Sequence, residues 1–453
     1  MSRRRRQRFP SEPVRLHINS LSHEGRGVSN IDGKVCFVSG ALPGEEVLAR
    51  YVNSRRQFDE LVTEKVIAAV SERVQPPCEF AGICGGCSLQ HFNPDSQLAF
   101  KESVLLEHLS HHAGIDRHEI ELLPRLNGPN EHYRRKARLA VRIVSKKGGA
   151  LVGFREHRSS FITDMNNCQV LVAEAARLIT PLRHLIDALQ ISREIPQIEL
   201  AAGELGPDTD ALQVALVLRH LAPLPDGDLE RLRSFSEEWN VHWYLQPGGV
   251  DTVELFYPVL PQPRLHYFLP EFDLDIAFHP MDFTQINGDV NRAIVSRTMG
   301  LLALSPEDRV LDLFCGLGNF TLALARTASA VVGIEGSAAM VQRGQENAAH
   351  NRLINTQFYA ADLSKTIASQ PWVGQSYEKI LLDPPRSGAA EIIDDVARLA
   401  AKRIVYVSCN PVTLARDAGK LLNAGYRLKS AGVMDMFPHT THVESIALFE
   451  TMD

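Results

Sequence analysis

The sequence predicts an α/β chain whose last part is a doubly wound parallel sheet, preceded by a small N-terminal β-barrel and a central α+β segment. Three observations predict it. From about residue 280 onward, strand-like apolar runs alternate with helical ones, the pattern of a parallel sheet wound by crossovers. Residues 14–70 read instead as short strands punctuated by Gly25, Gly27, Asp32-Gly33 and Pro43-Gly44. Between them, strands, the helix-like "SQLAFKESVLLEHLSHHAG" and proline-rich joins such as "LAPLPDGDL" are mixed. The expected boundaries are 1–72, 73–275 and 276–453, because Pro76 and Pro77 in "VQPPCEF" break any regular element after the barrel.

A chain of 453 residues exceeds what one core usually supports. With 44% hydrophobic and 23% charged residues it has an ordinary globular composition, and it contains no uncharged apolar run long enough to span a bilayer. The N-terminus "MSRRRRQRFP" has the charge of a signal peptide but not the apolar segment that must follow, so a cytoplasmic protein is expected, with no membrane and no obligate protein partner implied. The net charge of −6 argues weakly against nucleic acid, but local runs matter more than the sum. Arg3–Arg6 with Arg8 form one basic tract; "YRRKAR", Tyr133 to Arg138, forms another on a strand-like segment, where phosphate contacts are expected.

Seven cysteines sort by spacing. Cys78, Cys84 and Cys87 form C-x5-C-x2-C in "CEFAGICGGC", where Gly82, Gly85 and Gly86 let the backbone curl so that sulfurs converge. A reducing compartment disfavours disulfides. Zinc tends to use two close pairs, whereas three clustered thiolates with a distant fourth suit an iron–sulfur cluster, the fourth being Cys168 in "TDMNNCQVL". Cys36 and Cys315 are expected as packing residues, and His108, His111 and His112 as a solvated helix face.

In the last segment the expected strands are "RVLDLF", "AVVGIE", "TQFYAA", "EKILLD", "RIVYVS" and "HVESIALFE". After the first, Gly316 and Gly318 let the backbone approach a ligand, but Thr321 stands where a dinucleotide fingerprint wants a third glycine, so pyrophosphate is a poor fit. Glu335 ends the next strand, where it could accept both hydroxyls of a ribose; Asp362 and Asp383 end the following two. Acids ringing an adenosine ligand point to a cationic one, S-adenosylmethionine. "LLDPPRSG" places two prolines at the ligand edge of the sheet; amino-methyltransferases use Asp-Pro-Pro followed by an aromatic residue, and here Arg386 follows instead.

Cys409, in "IVYVSCNPVT", stands at the same edge. The C5 carbon of a pyrimidine is a poor nucleophile; attack of a thiolate at C6 converts the ring to an enolate with electron density at C5, which then takes a methyl group. A base must afterwards remove the C5 proton, and alternation in "PHTTHVES" puts His442 and Glu444 on one face.

With these residues in place the chain resembles the RNA uracil-C5-methyltransferases, and among them those acting on a uridine of 23S ribosomal RNA. The resemblance covers nearly the whole length. It implies that "SCNP" supplies the nucleophile, Cys409, and the "HVE" region the base, Glu444. It implies that Gln285 of "FTQIN" contacts S-adenosyl-L-methionine together with Phe314, Asn319, Glu335, Asp362 and Asp383. It further implies a Rossmann-like catalytic domain, a TRAM-type barrel that binds RNA, and a [4Fe-4S] cluster on Cys78, Cys84, Cys87 and Cys168. A helical segment at about 93–122 packed on the catalytic domain is also a family feature. Methylation of a different rRNA or tRNA uridine is the alternative.

Overall fold

The computed structural model describes residues 10, 12–261 and 263–452; the arginine tract Arg3–Arg6 and Arg8 lies outside them. The described chain divides into two compact units. One comprises the chain up to Phe100 with Arg155–Ser160 and Phe437–Thr441; the other holds Lys101–Phe154, Phe161–Met436 and the chain from His442 onward.

In the first unit, six strands between Val14 and Ala68 form one sheet, with Val14–His17 at one edge and Ser20–Leu21 at the other. Turn residues shape it as the sequence suggests: Gly33 takes a φ of 84° and Gly44 a φ of 83°, values that side chains resist. Leu16, Ile18, Cys36, Val38, Val47 and Leu61 fill its core, so Cys36 packs as expected. Glu45, fully buried, is held by the guanidinium of Arg73 at 2.5 Å and caps the backbone N–H of Leu42 at 2.8 Å.

The second unit contains three sheets. Six strands, in the order Glu254–Tyr257, Val241–Gln246, Leu212–Arg219, Gln197–Glu204, Lys136–Val144 and Gly149–Gly153, form a mixed sheet in which only Leu212–Arg219 and Val241–Gln246 run parallel. The helix Asp226–Trp239 makes that crossover. Leu265–Leu269 and Leu274–Phe278 form a separate hairpin.

The third sheet positions the site. Its order is Thr356–Ala360, Ala330–Glu335, Arg309–Leu313, Lys379–Leu382, Arg403–Ser408, Glu444–Thr451, Tyr426–Met434 and Glu121–Leu122. The first five are parallel, and in all but the edge strand Thr356–Ala360 the run of β-branched and leucine residues matches burial on both faces. The strand order reverses between Arg309–Leu313 and Lys379–Leu382, the place where open sheets of this kind bind ligands. Two features depart from the expected parallel sheet. Glu444–Thr451 runs antiparallel to Arg403–Ser408, and Tyr426–Met434 inserts beside it as a further antiparallel strand. Residues 121–122 then pair with that strand, so the segment after the cysteine loop does join the catalytic sheet.

Candidate active site

The parallel strands end on a row of acids. Asp312, in Arg309–Leu313, is wholly buried and accepts a hydrogen bond from the Thr321 hydroxyl at 2.6 Å; burial pushes its carboxyl up to about 7. Thr321 thus serves the acid in the position where a dinucleotide site would need glycine. After the strand the backbone turns through three left-handed residues, Phe314 at φ 66°, Gly316 at 57° and Gly318 at 99°. A bulky residue in that region is strained, a condition that clusters at ligand sites. The carboxylate of Glu335 accepts from the N–H groups of Gly316 at 3.2 Å and Ser337 at 2.9 Å, tying the first turn to the second strand end. Asn319 is clamped by the Tyr267 hydroxyl at 2.9 Å and by a reciprocal amide pair with Asn291 at 3.0 Å.

Gln285 is half-buried in the coil just before Asn287, which caps the helix Gly288–Leu302 through the Val290 N–H. Asp362 lies exposed beyond its strand, where the Lys365 ammonium at 2.8 Å and the Ser364 hydroxyl hold its carboxyl down to about 2. These residues fit a nucleoside that carries positive charge: an unpartnered buried oxygen on Asp312, a carboxylate at each of two successive strand ends, and glycines where the chain must pass close.

Cys409 follows directly on the strand Arg403–Ser408 and precedes Asn410, the N-cap of the helix Pro411–Asn423. Asn410 accepts from the Val412 N–H at 3.1 Å and Pro411 fills the first helical position, so the chain has one way to leave the sheet. The Asn410 amide also donates to the carbonyl of Arg386 at 2.9 Å, locking the Asp-Pro-Pro-Arg loop beside the cysteine. Across the sheet Ser408 pairs with Ser445, which sets Glu444 next to Cys409, and the Ser445 hydroxyl donates to the Ser408 carbonyl at 3.3 Å.

Burial pushes the Cys409 thiol up to about 11, with the negative fields of Glu444 and Asp383 adding to it and Arg386 opposing. Burial raises Asp383 to about 7. Burial and the Asp383 charge raise Glu444 to about 8, against the pull of Lys101 and Arg386. The structure therefore brings Cys409, Glu444 and Asp383 within one another's fields. Glu444 opens its strand as expected; His442 lies in the loop before it, so strand alternation does not govern its placement.

Two partners of this centre escape the sequence reading. Arg386 donates to Nδ1 of His442, and Lys101 forms a buried pair with Asp435 at 2.6 Å. The second had a signal: Leu98, Lys101, Leu105 and Leu109 share helical spacing, and all four are buried, so the lysine interrupts an apolar stripe.

"YRRKAR" behaves differently from expectation. Tyr133 is buried, Arg135 and Arg292 both pair with Glu204, and Lys136 donates to the Asp282 carbonyl. Only Arg138 of this run is largely exposed, pairing with Glu199 at 3.0 Å. Arg134, Arg135 and Lys136 are thus committed to the fold, through the Lys136 carbonyl, Glu204 and the Asp282 carbonyl.

The cysteine loop belongs to the first unit. Gly82 turns it at φ 82°, Gly85 donates to the Arg155 carbonyl at 2.8 Å with no room for a side chain, and the Gly86 N–H points at the Cys84 sulfur at 3.4 Å. Cys168 is buried in the second unit. Among the described residues no group of three or more His, Cys, Asp or Glu side chains is gathered as a metal site. Cys315 is buried against Gly333 and packs as expected.

Known proteins resemble this chain in sequence and in fold. The tRNA (Uracil-5-)-methyltransferase family profile matches residues 273–452. The 23S rRNA (uracil(1939)-C(5))-methyltransferase RlmD of Alcanivorax borkumensis is 51% identical over 449 residues, 99% of each chain. That of Hahella chejuensis is 50% identical over 452 residues, again 99% of each. The chain belongs to the RlmD family. The solved tRNA (uracil-54, C5)-methyltransferase of Pyrococcus abyssi, in complex with S-adenosyl-L-homocysteine, aligns with a TM-score of 0.71 and 24% identity over 96% of this chain and 100% of that one, and so shares the fold. In RlmD-family terms, Cys409, Glu444, Asp383 and Arg386 lie within the residues that the family profile matches, and Lys101 lies outside them.

Proposed function

We propose that the chain transfers a methyl group from S-adenosyl-L-methionine to C5 of a uridine in 23S ribosomal RNA, the uracil 1939 position named in its relatives, through a covalent bond between Cys409 and C6. The observation that carries the reading is the juxtaposition of Cys409, Glu444 and Asp383 where the fourth and fifth parallel strands end. Cys409 gives its proton to water as its sulfur adds to C6, and the ring's C5–C6 π electrons become an enolate. S-adenosyl-L-methionine supplies an electrophilic methyl group, taken by C5 as the donor sulfur leaves neutral. Glu444 then takes the C5 proton; the C–H electrons restore the ring double bond and the C6–S electrons return to Cys409.

The electrostatics support this order. With its thiol near 11, raised first by burial and then by Glu444 and Asp383, Cys409 is protonated at rest, and a cationic donor beside Asp383 would offset part of that rise. Asp383, Glu335, Phe314, Asn319, Gln285 and Asp362 would hold that donor. The target uridine must leave its stack to meet both sulfurs. We assign RNA grip to residues 1–72 and to the exposed arginines of the central segment, 73–275, leaving chemistry to 276–453. Ribosomal RNA as substrate also favours the cytoplasm.

We read Cys78, Cys84, Cys87 and Cys168 as ligands of a [4Fe-4S] cluster. Supporting it are three thiols on one glycine-turned loop and the Gly86 N–H directed at the Cys84 sulfur. The cluster would supply a structural tie, since methyl transfer moves no electrons between redox centres.

Incubating the enzyme with S-adenosyl-L-methionine and a 23S RNA fragment carrying 5-fluorouridine tests the reading. The fluorine cannot leave as a proton, so a denaturant-stable protein–RNA adduct through Cys409 is expected; its absence overturns the mechanism.

A further inference from the structure

We propose that Lys101, held by Asp435, is a positioning residue that sets a fixed positive charge against Glu444 so that the carboxylate can receive the C5 proton. The proposal rests on the reading of Glu444 as the base.

The geometry is unusual for a lysine. Its side chain is 0% exposed, that of Asp435 3%, and the ammonium lies 2.6 Å from the carboxylate. Such pairs seldom stabilise a fold, because removing two ions from water costs about as much as their attraction returns. A well-packed apolar pair would do as well, so a reason other than stability is wanted. Position supplies it. Asp435 follows Met434, which is in register with Glu444 across the last two strands, and its N–H is fixed to the Leu126 carbonyl at 2.8 Å. Lys101 is thereby delivered to the strand end that carries the base.

The groups facing Glu444 come from every element around it. Asp383 and a Cys409 thiolate oppose its ionisation; Arg386 and Lys101 favour it, and Lys101 acts on His442 as well. The two cations differ in kind. Arg386 is exposed, so water screens it, whereas Lys101 acts through protein interior, where a charge is felt several times more strongly. Asp435 in turn favours the charged form of Lys101 against the burial that would strip its proton.

The test compares full-length wild type, K101M and D435N in methyl transfer to a 23S RNA fragment between about pH 6 and pH 9. K101M removes the charge, and D435N weakens it, because the carboxylate that offsets the burial of Lys101 is gone. The acid limb of the rate profile is expected to move up by about one pH unit, roughly tenfold in rate at neutral pH. A methylated adduct that survives denaturant should accumulate, since adduct formation precedes the slowed step. An unmoved limb in a folded variant overturns the proposal. If K101M does not fold, the apolar pair K101M/D435L takes its place under the same criteria; if neither folds, the pair is purely structural and the proposal is wrong. Wild type that forms no adduct with 5-fluorouridine RNA would remove the underlying reading instead, before any variant is compared.

Discussion

The guanidinium of Arg386 donates to Nδ1 of His442 at 2.8 Å, so this imidazole is neutral and carries its proton on Nε2. Burial and the Arg386 charge together hold the His442 imidazolium down to about 4. Replacing Arg386 by methionine should let the histidine titrate nearer its ordinary range, seen by NMR. The same change removes a cation that favours both the Cys409 thiolate and the Glu444 carboxylate, so turnover should fall by about tenfold or more.

Glu444→Gln should separate the two halves of the reaction. The thiol still adds and the methyl still arrives, but the C5 proton stays, so a denaturant-stable adduct builds up while product release drops by about a thousandfold. Cys409→Ala should form no adduct at all. Gel mobility of labelled RNA under denaturing conditions distinguishes them.

Glu444 also makes stability depend on pH. Its folded carboxyl ionises at about 8 against an ordinary 4.5, so its contribution is fully present below 4.5 and is lost as pH rises toward 8. Glu444→Gln should therefore match wild type in thermal unfolding near about pH 5 and exceed it near about pH 9. Equal melting temperatures at both would show that the buried carboxylate is not strained by ionisation.

Asn410→Ala should lose a helix cap and the hold on the Arg386 carbonyl at once. A cost of about 1–2 kcal/mol is expected from the cap. Activity should fall further than that loss predicts, because the loop bearing Asp383 and Arg386 is released. Denaturant melts and initial rates on one preparation check both.

RNA grip should be tested at the exposed Arg138 and Arg142, which share the outer face of the strand Lys136–Val144. Reversing Arg135 would instead set two carboxylates together at Glu204 and damage the fold. If both exposed arginines meet phosphates, R138A/R142A should lower the salt slope of binding by about 1.5–2.

Much of the catalytic sheet is legible in the sequence because the four inner parallel strands are short runs rich in β-branched and leucine residues between turn signals. The strand Tyr426–Met434 is not: Arg427 and Lys429 alternate with buried residues, a register shift follows Leu428, and Gly432 lies where Leu123 passes close. Cys409, Glu444 and Asp383 were readable since each sits at a strand end, where open sheets meet ligands. Lys101 left only the trace of a charge in an apolar helical stripe, because its partner is 334 residues away and only tertiary contact reveals it. The same holds for Arg155–Ser160 and Phe437–Thr441, which join the N-terminal unit from distant parts of the chain.

The span between Lys101 and Asp435 bears on how this protein comes into being. Lys101 leaves the ribosome 334 residues ahead of Asp435. Domains form as they emerge, but this ion pair has to wait until Asp435 has been made. The charge set near Glu444 by this pair is therefore in place only after the segment bearing Asp435 has folded onto the helix that carries Lys101.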